Sequence, residues 1–397
     1  MPFPRERLAV RTGSPAMPGQ WPGGSTASGP WVMDKGWWCR SRGNGTQLRS
    51  RVGPGGDLCA DRVRRMEESG IKRSRWKPVG IGCLGVAAAL IVAGLVAVIV
   101  KPWAPEMEVA DPGPAGERIE DDGLVGNWYP GGPRSSAVLV LGGSEGGLGP
   151  RADAMGRSLH GAGHSVLVLS YFGAVDHQPQ HLELVELELF DQAVAWLRAR
   201  PEVDPQQVGV IGTSKGSEAA LLLASSDPDI AAVAALVPSS VVWPGINQRE
   251  PWEMIFGLDS SWSRGGESVP FLPYGEARGP DVFELYRTGL ETVADHPEAV
   301  IPVEQITGPV LLVCGEQDTL WPSCPMAQQI EERITTNGGT AELLAYADAG
   351  HLGVGPPLDP GADAEALTEL GGTAAGNASA RADGWPQVLD FFRHALA

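Results

Sequence analysis

A serine hydroxyl becomes a nucleophile near neutral pH only when a base takes its proton and an acid orients that base. Three residues of this chain fit those parts, and each directly follows an apolar run of strand type. Ser214 lies in Gly212-Thr213-Ser214-Lys215-Gly216, between Val208–Ile211 and a run of small residues and leucines that ends at Ser226. The pattern is strand, sharp turn, helix, with the serine at the apex and two glycines that let backbone pack close to it. Asp318 follows the apolar run 309–313, in Cys314-Gly315-Glu316-Gln317-Asp318, where Glu316 is a rival for the acid. His351 follows the run 341–346. The order is Ser, Asp, His, with gaps of 104 and 33 residues.

The serine motif alone is weak evidence. With 53 glycines in 397 residues, roughly half a match is expected by chance. A second match, Gly142-Gly143-Ser144-Glu145-Gly146, follows the apolar run 137–141. An oxyanion forming beside Ser214 needs two N–H donors. The backbone of Lys215 supplies one, and that of Ser144 or Glu145 the other. The Lys215 side chain reads as solvated or as a contact for an anionic substrate group.

The elements that must position these residues alternate. Strands are expected at 137–141, 165–169, 208–211, 231–237, 309–313 and 341–346. Helices are expected at 151–159, 182–200, after Ser214, and at 385–396. This alternation predicts an α/β fold, a mostly parallel sheet with helices on both faces. Ligands of such sheets sit beyond the carboxyl ends of the strands, where all three candidates fall. The catalytic domain is expected over 128–397. The long gap after Ser214 leaves room for a cap at about 241–301, whose Trp243 and Trp262 line an acyl pocket or pack the cap. Residues 356–383, rich in Gly, Ala and Asp, read as a surface loop.

The net charge of −18 is uneven. Residues 1–100 hold 15 Lys and Arg against 6 Asp and Glu, whereas residues 101–397 hold 15 against 42. An acidic body repels nucleic acid. Residues 79–100 form 22 positions without charge or proline, enough at about 1.5 Å per residue to span a hydrocarbon core of ~30 Å. Lys72, Arg73, Arg75 and Lys77 flank its start and Lys101 its end. The sequence therefore predicts a single transmembrane helix at 79–100, the N-terminus cytoplasmic and the catalytic domain extracytoplasmic. Residues 1–78 read as a disordered basic segment, with Met66 an alternative start, and 101–127 as an acidic Pro/Gly-rich linker. The five cysteines and seven histidines show no zinc spacing, so neither metal nor organic cofactor is expected. Cys314 and Cys324 have two readings: a disulfide if the body is exported, or two separate thiols.

The chain resembles the C-terminal catalytic domain of the acyl-CoA thioester hydrolase and bile-acid-CoA:amino-acid N-acyltransferase family, an α/β-hydrolase family similar to the dienelactone hydrolases. The resemblance runs from about Gly123 to the C-terminus. It rests on GGSEGG (142–147), LSYFG (169–173), VELELFDQAVAWL (185–197), VDPQQVGVIGTSKGSEAALLLAS (203–225), PSSVVWPG (238–245), IPVEQITGPVLLVCGEQDTLWPS (301–323) and AGHLGVGPP (349–357). It implies Ser214 as nucleophile, Asp318 as acid, His351 as base, and acyl-CoA as substrate. The N-acyltransferase branch carries cysteine at the nucleophile, so Ser214 implies hydrolysis over transfer to an amine. An external body meets little acyl-CoA. The rival is a membrane-anchored carboxylesterase or lipase-like enzyme on non-CoA esters, and a third reading is a catalytically silent anchored binding module.

Overall fold

A computed structural model of the protein describes residues 107–248, 250, 257–279 and 281–397. The expected basic segment and membrane span lie outside the described residues. Among the described residues, no helix is long and apolar enough to cross a membrane.

Short Val/Leu/Ala-rich runs form the centre. The strands β1 (Glu117–Asp121), β2 (Leu124–Tyr129), β3 (Ser135–Leu141), β4 (Ser165–Ser170), β6 (Val203–Thr213), β7 (Ala232–Leu236), β10 (Val310–Gly315) and β11 (Ala341–Tyr346) build one sheet, in the order β1-β2-β4-β3-β6-β7-β10-β11. Only β2 runs against the rest; the pairings from β4 through β11 are all parallel. Strands β4, β7 and β10 are buried along their whole length. Such strands read as continuous apolar runs because helices cover both faces.

One face packs against α1 (Pro150–Gly161) and α6 (Ala374–Ala395), through Met155, Leu159, Trp385 and Phe392. The other packs against α2 (Glu188–Arg198), α3 (Lys215–Ser226) and α5 (Ser323–Thr336), through Phe190, Leu197, Leu221 and Ile330. The chain order reverses between β3 and β6, which opens a crevice at their carboxyl ends. The strand order and the single reversed strand make this an α/β-hydrolase-like fold.

Three expectations need correction. The segment read as a linker to residue 127 contains β1 and the start of β2, and Met107 and Val109 pack against the core. Asp122 and Gly123 form the two-residue turn, both at positive φ (48° and 85°), as an Asp-Gly hairpin requires. The helix expected from Leu182 begins only at Glu188. Before it, Val185–Glu186 (β5) pairs with Trp262–Arg264 (β8), which pairs in turn with Glu267–Ser268 (β9). The last helix starts eleven residues before Trp385, at Ala374, inside the expected loop; Thr373 caps it by accepting the Gly376 amide.

The insertion closes on itself at its base. Val241 bridges Val300, and the Ile301 amide donates to the Ser240 carbonyl at 3.1 Å. Inside it, α4 (Val282–Leu290) is capped by Asp281. Its own small core gathers Trp243, Leu272 and Tyr286 against Trp321 and Met326.

Candidate active site

β6 ends at Thr213 and α3 begins at Lys215, so Ser214 alone makes the turn, at φ 55° and ψ −121°. That region is unfavourable for a residue with a side chain. It is held because the surrounding backbone packs too tightly to relax. A Cβ at Gly212 would stand 2.0 Å from the Gly216 carbonyl oxygen, and one at Gly216 would stand 2.1 Å from that of Gly142. The Ser214 amide donates to the Leu236 carbonyl at 2.9 Å, and the Ser217 hydroxyl donates to the Ser214 carbonyl at 2.6 Å.

Asp318 and His351 are brought together from the ends of β10 and β11. His351 Nδ1 lies 2.8 Å from Asp318 Oδ2, with both side chains buried. The same oxygen accepts from the Ser323 hydroxyl at 2.7 Å, while Oδ1 accepts from the amides of Leu320 and Trp321. A carboxylate accepting this many bonds has one orientation. Glu316, the rival acid, is exposed. The His351 loop is fixed from outside. Its amide donates to the Leu370 carbonyl, and the Gly350 amide donates to Asn377 Oδ1 at 2.7 Å. Asn377 Nδ2 in turn donates to the Leu367 and Gly371 carbonyls. The Trp321 and His351 rings form a T-shaped pair, with centroids 5.7 Å apart.

Ser214 and His351 face one cavity of about 510 Å³, together with Thr213, Ser144, Glu145 and Leu320. Their side chains are not hydrogen-bonded to each other here, and such contacts often tighten only with substrate bound. Lys215 is the first residue of α3, so its amide has no partner within the helix. After β3, the Tyr171 hydroxyl donates to the carbonyls of Gly142 and Gly143 at 2.6 and 2.8 Å. The peptide is trans and planar, so the Ser144 N–H points away from Tyr171.

Two further expectations are corrected. Trp243 and Trp262 are both 0% exposed and neither lines this cavity. Trp243 is enclosed by Tyr274 and Tyr286, and Trp262 by Tyr171 and Phe190. The Lys215 side chain is neither solvated nor open to substrate; it is 1% exposed and paired with Glu218. Cys314 and Cys324 form a disulfide that brackets the Asp318 turn. Sequence reading missed Ser323, Asn377 and Tyr171 as supports. Tyr171 and Ser323 sit inside the quoted motifs, but Asn377 lies in a run that carries no chemical signal.

Comparison with known proteins follows the same region. The family model described as BAAT / Acyl-CoA thioester hydrolase C terminal matches residues 185–397. The mouse protein acyl-coenzyme A thioesterase 1 is 29% identical over 252 residues, covering 60% of this chain and 55% of that one. A rat acyl-coenzyme A amino acid N-acyltransferase 2 is 28% identical over 301 residues, covering 72% and 67%. The chain thus spans little more than half the length of the thioesterase it matches. Among solved structures, a dienelactone hydrolase from Anabaena variabilis is 19% identical, with a TM-score of 0.42 over 70% of this chain and 97% of that one.

Proposed function

This chain belongs to the BAAT / acyl-CoA thioester hydrolase C-terminal family, and we propose that it is a serine hydrolase cleaving acyl thioesters or esters through an acyl-serine intermediate. Acyl-CoA thioesters are the first substrate class to test. The observation that carries the reading is the buried Asp318–His351 hydrogen bond facing the same cavity as a serine held at positive φ.

In this mechanism His351 Nε2 takes the Ser214 proton as Oγ attacks the acyl carbon. Asp318 holds Nδ1 protonated and stabilises the imidazolium that forms. The amides of Lys215 and Ser144 receive the oxyanion, with Glu145 as the alternative second donor. His351 then protonates the leaving group and activates the water that releases the acid. No step needs a metal or organic cofactor.

A second reading is favoured by the Cys314–Cys324 disulfide, because such bonds persist in oxidising compartments. With the uncharged run 79–100, it supports an exported, membrane-tethered body that acts on non-CoA esters. One experiment separates the two. The full chain is assayed on acyl-CoA thioesters and on oxygen esters of matched acyl length, beside Ser214→Ala. Turnover of acyl-CoA, lost in the variant, supports the first reading. Turnover of oxygen esters alone supports the second. Activity that survives Ser214→Ala contradicts both.

A further inference from the structure

The first turn of α3 carries two charges that the reaction does not use. Lys215 and Glu218 are 1% and 0% exposed. Lys215 Nζ donates to both carboxylate oxygens of Glu218, at 3.1 and 2.9 Å, and to the Trp243 carbonyl at 3.4 Å. Glu218 Oε1 also accepts from the Trp243 amide at 3.1 Å and from Trp262 Nε1 at 2.7 Å. Both tryptophans come from the insertion, so one carboxylate ties the nucleophile's helix to it at two points. Burial pushes the Lys215 ammonium down and the Glu218 carboxyl up from their usual ranges, and their mutual attraction opposes both shifts.

A buried ion pair is a weak stabiliser, because desolvating two charges offsets much of their attraction. Stability therefore does not account for this one, but its position does. Lys215 is the residue whose amide follows the nucleophile. Its side chain is clamped one turn further on, which ties the residue next to the peptide joining Ser214 to Lys215 to the insertion through Glu218. That peptide carries the N–H assigned to the oxyanion.

We propose that the Lys215–Glu218 pair is a positioning device: it locks the Ser214–Lys215 peptide against the insertion, so the oxyanion donor is aligned only while Trp262 is docked on Glu218. Lys215 and Glu218 act through the backbone amide and touch no reacting atom with their side chains. The inference rests on Ser214 being the nucleophile.

The test uses the full chain and p-nitrophenyl butyrate, with Ser214→Ala as reference. Lys215→Met combined with Glu218→Gln removes both charges together. It leaves no lone buried charge and keeps the acceptor for Trp243 and Trp262. The expected result is a protein with the parent circular dichroism, a kcat at least tenfold lower, and a KM within twofold. A purely structural pair would lower the melting temperature without this split. Trp262→Phe keeps an aromatic ring against Tyr171 and Phe190 and deletes the hydrogen bond to Glu218; a threefold or larger loss of kcat at constant KM is expected. Turnover within twofold of the parent in a folded double variant overturns the proposal. If the double variant does not fold, an unchanged kcat in Trp262→Phe overturns it. Activity that persists in Ser214→Ala marks instead the failure of the underlying reading.

Discussion

The two sides of the site are built by different means. The Ser214 side is held by backbone: β6, the turn and α3 are consecutive in sequence, and the backbone closes on Gly212 and Gly216 so tightly that a Cβ added at either would stand near 2 Å from a carbonyl oxygen. The Asp318–His351 side is held by groups from elsewhere in the chain. Asp318 depends on Ser323, His351 depends on Asn377 and the Leu370 carbonyl, and a disulfide closes the Asp318 turn. Local packing fixes one partner, and a distributed set of hydrogen bonds delivers the others to it. The first should fail abruptly when touched, and the second by degrees.

Gly212→Ala tests the abrupt side. Its new Cβ meets a backbone oxygen at 2.0 Å, so it should cost about 4 kcal/mol or more, or prevent folding. Urea unfolding and yield of soluble protein measure this. A near-parental midpoint would show that the elbow can relax after all. Asn377→Ala tests the distributed side. It strips partners from the Gly350 amide and from the Leu367 and Gly371 carbonyls. It should cost about 2–4 kcal/mol and lower kcat more than it raises KM.

Cys314→Ser with Cys324→Ser reopens the bracket around Asp318 and should cost about 2–3 kcal/mol for so short a loop. Thermal melts with and without a dithiol reductant check it, since the reductant should no longer shift the variant. The smallest effect belongs to a control outside both regions. His164 is buried, with Nδ1 on the Ser136 hydroxyl and Nε2 without a hydrogen-bond partner. Burial first, and then the Arg393 charge, hold its imidazole below the usual range. The unfolded chain therefore takes up this proton first as pH falls. The stability this contributes is full above about pH 6.5 and declines below it. The loss of melting temperature between pH 7.5 and pH 5.5 should be smaller in His164→Gln, with no change in site geometry.

The same contrast decides what could be read from the sequence. The elbow is local, so Ser214, its strand and its helix stand out in Gly212–Gly216. The parallel sheet is legible because buried strands leave unbroken apolar runs. The supports of Asp318 and His351 are not legible. Asn377 acts on Gly350 from 27 residues away, in a Gly/Ala run without periodicity, and for that reason the start of α6 reads as loop. Trp243 and Trp262 show the converse. Aromatic residues in an insertion suggest a pocket, but only the fold reveals the buried carboxylate of Glu218 that their N–H groups satisfy. The β1–β2 hairpin lay in an acidic stretch whose composition masked its Asp-Gly turn.

The most direct test of the central claim is to treat the full chain with a fluorophosphonate and locate the adduct by peptide mass spectrometry. A single adduct on Ser214, formed at least a hundredfold more slowly in a folded His351→Ala variant, is the result expected of a serine activated by that histidine. An adduct on another residue, or none on Ser214 in folded protein, would contradict it.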